Sequence, residues 1–425
     1  MIYLLADDLT GANDGAVQLA KKGLRTLVYI EPLGSHEDDL AQLRETVDVL
    51  AVDTETRGLS ADEAGEVIRR AVSKLGLTNQ TGIQVYKKID STLRGNVGKE
   101  IEVLMTLLEK DVCVLAPSYP QHRRVVVGGY LLVDNRPLGL TQYFQSKLPS
   151  WIGSYIPSLL REQTRLPVGL IELKTLMQGE EAVRHELGRH RKAGTRIIVF
   201  DAVTEEHLQA VVNYTSLLGP SVLYCGSAGL ADFIISQSGG SEHPPVLTRA
   251  QGPVLIVVGT RNKIMEGQIS YLKERIPACH IRLDPTVFLN QPEQALEAHA
   301  DLALQALSSG EHVLLQTVAA GGWENDSAPH REREISIRNF VSELSAEIAR
   351  TANIRDLIII GGDTALGICT VLGAGQLQVE AELLPGIPLV SVESGEHRGM
   401  RIITKAGGFG VETTLYELVS SIVEN

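Results

Sequence analysis

The chain has 425 residues, of which 44% are hydrophobic and 21% charged, and its net charge is −13. At about 150 residues per domain this length predicts roughly two or three domains, with the composition of an ordinary folded protein rather than a disordered one. The acidic balance excludes general nucleic-acid binding, which needs a basic footprint, yet a small anion needs only a few local cations.

The first element is the apolar run 2–6, long enough for a buried strand. It is entered with no basic n-region or cleavage site, so no signal peptide is expected. No apolar run approaches a membrane span, and a cytoplasmic protein without membrane or nucleic-acid partners is the expectation. The run ends in Ala6-Asp7-Asp8-Leu9-Thr10-Gly11-Ala12-Asn13-Asp14. In an open α/β sheet, ligands bind in the crevice beyond the carboxyl ends of the strands. Two adjacent carboxylates there repel and lose hydration, so a metal, a bound hydroxyl or a cation must offset the cost. Thr10 or Asn13 reads as a helix N-cap and Asp14 as a complement to the helix dipole, which leaves Asp7 and Asp8 as site candidates. A phosphatase with an aspartate nucleophile needs two aspartates with one residue between them, so that both point into the site. Asp7 and Asp8 are adjacent and are expected to point to opposite faces of an extended chain, which speaks against that chemistry.

Further strands are expected at 26–30, 47–52, 83–87 and 112–116, alternating with helical patterns such as 13–22 and 61–75. This is the signature of βαβ units. After the strand ending at Val52 comes Asp53-Thr54-Glu55-Thr56-Arg57-Gly58, where Arg57 can grip a carboxylate bidentately. Lys87-Lys88-Ile89-Asp90-Ser91-Thr92-Leu93-Arg94-Gly95-Asn96 follows another strand. As a set these residues supply what an anionic polyol needs, cations for its acid group and partners for its hydroxyls. Asp90 can also serve as a general base. His122, in the loop after the strand 112–116, reads most simply as a structural histidine. Strands at 196–200 and 222–224 and a helix after Ser227 complete this half. Residues 236–252, with Ser-Gly-Gly-Ser and Pro-Pro, read as a linker, dividing the chain near 245 into domains 1–240 and 250–425.

Strands at 254–258, 312–316, 357–360, 389–392 and 402–404 make a second α/β series, with 319–334 as a surface loop. Three of these strands end in glycine-bearing turns: Val258-Gly259-Thr260, Ile360-Gly361-Gly362-Asp363-Thr364 and Thr404-Lys405-Ala406-Gly407-Gly408. Backbone N–H groups at such turns, aided by a helix start, can cradle phosphate. No P-loop, protein-kinase set or G-x-G-x-x-G is present, so a nucleotide would be held by another arrangement. Cys113, Cys225, Cys279 and Cys369 are scattered without a C-x-x-C pair, which argues against zinc or redox chemistry and for buried small hydrophobes.

Seven segments, in this order, resemble the four-carbon acid sugar kinase family: ADDLTGANDGAVQLAKKG at 6–23, YKKIDSTLRGNVGKE at 86–100, CGSAGLA at 225–231, VVGT at 257–260, IIIGGDTA at 358–365, LLPGIPL at 383–389 and ITKAGGFG at 403–410. The resemblance implies two α/β domains, an N-terminal sugar-acid-binding one and a C-terminal nucleotide-binding one, with an interdomain cleft. It implies ATP-dependent phosphorylation of the 4-hydroxyl of a four-carbon aldonic acid. DTETR with KKIDST looks most like the D-threonate and D-erythronate branch, and the 3-oxo-tetronate kinases are a close second. By the same resemblance Asp8, Arg57 and Lys88 to Ser91 hold the sugar acid, while Thr260, Gly361 to Thr364 and Gly407 hold ATP. The chain has Leu9 where the family more often has Phe, and Thr260 where serine is usual. His122-Arg123-Arg124 stands where the family often has Gly-Arg.

Chemistry suggests a division of labour. Arg57 and Lys88 would take the substrate carboxylate, with Ser91 and Arg94 beside them. Asp8 would order the hydroxyls, and Asp90 or Asp8 would be the base. Thr260, Gly361, Gly362, Asp363, Thr364, Lys405, Gly407 and Gly408 would take the triphosphate. Mg2+ would bridge its oxygens through ligands the sequence does not identify. ATP on one domain and sugar acid on the other imply closure that excludes water. A non-catalytic sugar-acid or nucleotide-binding regulator and a phosphatase are the alternatives, and only a kinase requires the acid–cation cluster at Asp90 and Arg94. A homo-oligomer is left open.

Overall fold

The computed structural model describes residues 1–30, 43–79, 82–144, 148–235, 250, 252–260, 262–318 and 330–423. The chain divides into two compact units, residues 1–242 and 243–425.

The first unit contains β1 (Ile2–Ala6), β2 (Thr26–Ile30), β3 (Val49–Asp53), β4 (Gln84–Lys88), β5 (Val112–Ala116), β6 (Arg124–Val127), β7 (Tyr130–Val133), β8 (Arg136–Pro137), β9 (Val168–Ile171), β10 (Ile197–Phe200) and β11 (Val222–Gly226). Its main sheet runs β2-β3-β1-β4-β11-β5-β10-β9, with every pairing parallel. Such strands are covered on both faces, which is why they read as unbroken apolar runs. Tyr3, Leu5, Val52, Ile101 and Leu115 lie in one shared core. The strands β6, β7 and β8 form a small antiparallel sheet.

Strand order also says where a ligand can bind. From β1 the chain crosses to β2 on one side, whereas from β3 and β4 it crosses to the other. Right-handed crossovers then set the helix Leu9–Ala20 on one face and the helices Ala61–Lys74 and Val97–Leu107 on the opposite one. The contacts agree, since Leu9–Ala20 packs beside Ala228–Ala231 and Ala61–Lys74 beside Val97–Leu107. The crossovers therefore diverge at β1, and the crevice beyond its carboxyl end is open to a ligand.

The second unit contains β12 (Leu255–Val258), β13 (Ala278–Leu283), β14 (His312–Thr317), β15 (Asp356–Ile360), β16 (Gln376–Leu384), β17 (Ile387–Val392) and β18 (Arg401–Lys405). Their order is β13-β14-β12-β15-β18-β17-β16. The pairs from β13 to β18 are parallel, and β17 and β16 are added antiparallel. Ile256, Val258, Ile358, Ile360, Ile403 and Leu418 share its core.

Several sequence expectations change here. The first helix begins at Leu9 and its N-cap is Asp8, not Thr10 or Asn13. The expected loop 319–334 overlaps the helix His330–Thr351, and its residues 319–329 lie outside the described residues. The expected linker 236–252 also lies outside them apart from residues 250 and 252. Cys279 is only half-buried, on the outermost strand β13, whereas Cys113, Cys225 and Cys369 are buried. Among the described residues no helix is long and apolar enough to cross a membrane.

Candidate active site

The parallel register places Ala6 opposite Asp53 on one side and opposite Lys88 on the other. The segments after β1, β3 and β4 therefore leave adjacent strands at the same edge. Thr54 donates its N–H (2.9 Å) and hydroxyl (2.7 Å) to the Ala6 carbonyl. The Arg57 N–H reaches the Asp7 carbonyl at 3.1 Å. These bonds fold the 54–58 loop back over the end of β1.

Arg57 sits at the centre of the cluster. Its Nε donates to Asp7 Oδ2 at 2.8 Å and its Nη2 to Asp7 Oδ1 at 2.9 Å. Nη2 also reaches Asp8 Oδ1 at 2.9 Å, and Nη1 pairs with Asp8 Oδ2. Asp7 and Asp8 thus converge on one guanidinium instead of facing opposite ways. The expectation fails because the chain bends across Asp7 and Asp8 as it leaves β1 for the helix Leu9–Ala20, and Asp8 Oδ1 also accepts the Gly11 N–H at 2.7 Å as the helix cap. Gly11 makes room for this: a Cβ there would lie 2.6 Å from Asp8 Oδ1 and 3.1 Å from Lys88 Nζ.

Lys87 and Lys88 show what alternation does to two adjacent cations at a strand end. On one face Lys87, fully buried, lies 2.5 Å from Glu100 of the helix Val97–Leu107. On the other face Lys88 runs over Gly15, and its Nζ reaches the Gly11 turn and the Ile89 carbonyl at 3.1 Å. Lys88 is 3% exposed, and among the described residues no carboxylate forms an ion pair with it.

Asp90 takes the bidentate fork of Arg94, at 2.7 Å to Nε and 3.1 Å to Nη2, and accepts the Thr92 hydroxyl. Ser91 is buried beside them. Asn96 ties this loop to its neighbour by donating to the Thr56 and Leu59 carbonyls at 3.1 and 2.9 Å. A cavity of about 450 Å³ opens beside Arg57, Arg94 and Asn96, with Leu138, Tyr143 and Phe144 on its apolar side. His122 is buried and packs edge-on against Tyr119, ring centroids 4.4 Å apart.

The carboxyls are tuned apart. Burial opposes ionisation of Asp7, but Arg57 outweighs it and holds the group below the usual carboxylate range. Burial lifts Asp8 above that range against the pull of Arg57, and the charge on Asp7 adds to the lift. Asp90 is also buried, yet Arg94 and Arg57 hold it well below.

The sequence reading passed over Asp53 as a titrating group. It is fully buried, its Oδ1 accepts the Glu55 N–H at 3.0 Å, and its Oδ2 has no partner. Burial, with Glu55 beside it, raises its carboxyl well above the usual range. The folded state then holds a proton that the unfolded chain has already lost, so stability falls as pH rises from the ordinary carboxylate value through the raised one. Asp53→Asn removes that titration. Thermal melts are expected to show it about 2–4 °C more stable than the wild type at pH 8, with the difference shrinking by pH 5.

In the second unit Val258 lies opposite Ile360 and Ile360 opposite Lys405, which brings the three glycine turns side by side. A Cβ on Gly259 would stand 1.8 Å from Thr364 Oγ1, and one on Gly407 would stand 2.5 Å from Thr260 Oγ1. Thr260 and Thr364 therefore fill the space that two glycines leave. Gly361, with φ +117°, precedes the helix Gly362–Leu372 and gives its first N–H groups no side-chain cap. Asp363 is exposed in the first turn. Phe409 N–H closes the turn around Gly407 and Gly408 onto the Ala406 carbonyl at 3.1 Å. Lys405 is fully buried, its Nζ 3.3 Å from both Met265 Sδ and the Ala406 carbonyl. Among the described residues no cluster of three or more His, Cys, Asp or Glu is suited to hold a metal.

Residues 2–234 match the sugar-binding N-terminal domain and residues 255–415 the nucleotide-binding C-terminal domain. A sugar-binding domain followed by a nucleotide-binding one is the make-up of a small-molecule kinase. The chain is 29% identical to a D-threonate kinase of Salmonella typhimurium, covering 100% of this chain and 98% of that one. It is 28% identical to a D-erythronate kinase of Heliobacterium modesticaldum (96% and 94% covered). A 3-oxo-tetronate kinase of Salmonella typhimurium is 27% identical, with 97% of each covered. A solved structure from Salmonella typhimurium LT2, 24% identical, shares the fold with a TM-score of 0.78 over 98% of each chain. The chain belongs to the four-carbon acid sugar kinase family and is an ATP-dependent enzyme.

Proposed function

We propose that the enzyme transfers the γ-phosphoryl group of ATP to the 4-hydroxyl of D-threonate or D-erythronate. The observation that carries this reading is Lys88, a buried ammonium with no carboxylate partner among the described residues, beside the Asp7–Asp8–Arg57 cluster. Arg57 already serves two acids and Arg94 serves Asp90. Lys88 is thus the cation left for an incoming carboxylate, with Arg57 adding reach through its fork. Relatives named D-threonate kinase and D-erythronate kinase, at 29% and 28% identity, support these acids as substrates.

In the proposed reaction the 4-hydroxyl oxygen bonds to the γ-phosphorus, the bond to the leaving ADP oxygen breaks, and the hydroxyl proton passes to Asp8. Asp8 suits this role because its carboxyl stands above the usual range. Asp90, held ionised by Arg94, suits the role of fixing that arginine and Thr92. The glycine turns and the uncapped helix start would hold the phosphates. Mg2+ would offset their charge. A metal bound chiefly through phosphates needs only one or two carboxylates, and Asp363 at the helix start offers one.

An ATP-consumption screen over threonate, erythronate and 3-oxo-tetronates with Mg2+ tests the proposal. Turnover on threonate or erythronate is expected. Turnover on the 3-oxo acids alone would reassign the substrate, and none on any would sink the reading. Lys88→Met is expected to raise KM for the acid at least tenfold while leaving ADP affinity unchanged, as measured by steady-state kinetics and titration.

A further inference from the structure

We propose that nucleotide binding at the three glycine turns is coupled to protonation of Lys405, so that the enzyme takes up a proton as the polyphosphate arrives. The inference rests on the reading that this unit binds ATP, and it concerns what the buried lysine does there.

Lys405 ends β18, and its carbonyl accepts the N–H of Gly361 at 3.0 Å. Its side chain folds back so that Nζ lies 3.3 Å from the Ala406 carbonyl, in the third glycine turn, and 3.3 Å from Met265 Sδ. Met265 belongs to the first turn of the helix Lys263–Lys273, which follows the Gly259-Thr260 turn. The ammonium is therefore enclosed between two of the turns. It is 0% exposed, and among the described residues its hydrogen-bond partners are one carbonyl and one thioether.

The acids of the surrounding elements leave it alone. Asp363, Glu266 and Glu417 are exposed on their helices, and Asp356 is bonded to Arg401 at the opposite end of the paired strands. β17, the other neighbour of β18, has no charged residue. Lys273 is exposed. Among the described residues none of these forms an ion pair with Lys405. Burial alone lowers its ammonium to about 7, so above neutral pH it is largely an amine. The uncapped start of the helix Gly362–Leu372 is positive in the same region, which further disfavours an ammonium until an anion comes. A polyphosphate reverses that balance, because an opposite charge nearby favours the protonated form.

The test is calorimetric titration of ADP with Mg2+ into the full chain, at pH 7.5–8.5, in buffers of different ionisation enthalpy. In that range the phosphates of ADP no longer titrate. The wild type is expected to take up most of one proton per ADP, and Kd is expected to rise up to about tenfold per pH unit. Lys405→Met, which keeps length and apolar bulk, is expected to bind ADP without proton uptake and with a flat pH profile. ADP binding by the wild type without proton uptake overturns the inference while leaving the nucleotide reading standing. Uptake that persists in Lys405→Met also overturns it, since the proton then goes elsewhere. If ADP fails to bind at any pH, the nucleotide reading itself falls. Should that variant not fold, Lys405→Gln is put to the same titration, and proton uptake that persists in it overturns the inference in the same way.

Discussion

Arg57→Ala is expected to cost about 3–5 kcal/mol of stability and to abolish turnover. The guanidinium is the shared partner of two carboxylates whose side chains are only 3% and 11% exposed. Without it two like charges stay buried side by side with Lys87 and Lys88 as their nearby cations, and a buried charge stripped of its ion-pair partner is among the costliest defects a fold can carry. The pH dependence separates this from simple loss of packing. In the wild type burial opposes the ionisation of Asp7 but Arg57 overcomes it, so the group lies below its ordinary range. Its stabilisation is present above the ordinary carboxylate value and is lost as pH falls through the lowered one. In Arg57→Ala the carboxyls are expected above their ordinary range, so acidification stabilises the folded state. The gap in Tm between the two proteins is therefore expected to narrow from pH 8 to pH 5. A gap independent of pH would mean that the loss is one of packing. Arg57→Lys restores charge without the fork and is expected to recover part of the stability and little of the turnover.

Gly259→Ala is expected to weaken nucleotide binding by about 5–150-fold, the equivalent of about 1–3 kcal/mol of overpacking, while sugar-acid binding is unchanged. The added methyl would stand 1.8 Å from Thr364 Oγ1 and 2.9 Å from Thr364 Cβ. Rotating the threonine relieves the first contact but not the second, so the turn itself must spread. Because Thr364 lies in the first turn of the helix Gly362–Leu372, spreading moves the N–H groups assigned to the phosphates. Titrations of ADP and of threonate into the same variant measure the two effects separately. Thr364→Ala in the Gly259→Ala background removes the Oγ1 contact and is expected to restore part of the affinity, a non-additive result of the kind contacting pairs give. Equal loss of both ligands would indicate general unfolding instead.

The strands that carry the site were legible because they are unbroken apolar runs between polar turns, as strands covered on both faces must be. β13 and β16 escaped notice because they alternate: β16 reads Gln-Leu-Gln-Val-Glu-Ala with only every second residue buried. β9 is short and carries Gly169. In the site, residue types at strand ends pointed to Asp8, Arg57, Lys88 and the glycine turns, but partners could not be read. Nothing in the sequence says that Asp7 and Asp8 share Arg57, because that depends on how the chain bends between β1 and the first helix. Nor does it say that Lys87 spends its charge on Glu100 inside the core. Alternation at Lys87-Lys88 was the available signal, since two adjacent lysines on a buried strand must face different neighbours. Lys405 shows the reverse case: a lysine beside a glycine turn reads as a surface ligand, yet its side chain lies in the interior.

The groups that meet at Arg57 come from positions 7–8, 57 and 88–96 of the chain, on three strands joined only by long crossovers. Parallel strands have no hairpin through which to pair early, so their contacts wait on closure of large loops. No fragment that stops short of residue 88 can hold the cluster, however native its helices. During synthesis the acid site therefore cannot form until β4 has emerged and inserted beside β1. Until then Asp7 and Asp8 remain solvated, and their desolvation is deferred to the step that delivers their counter-charges.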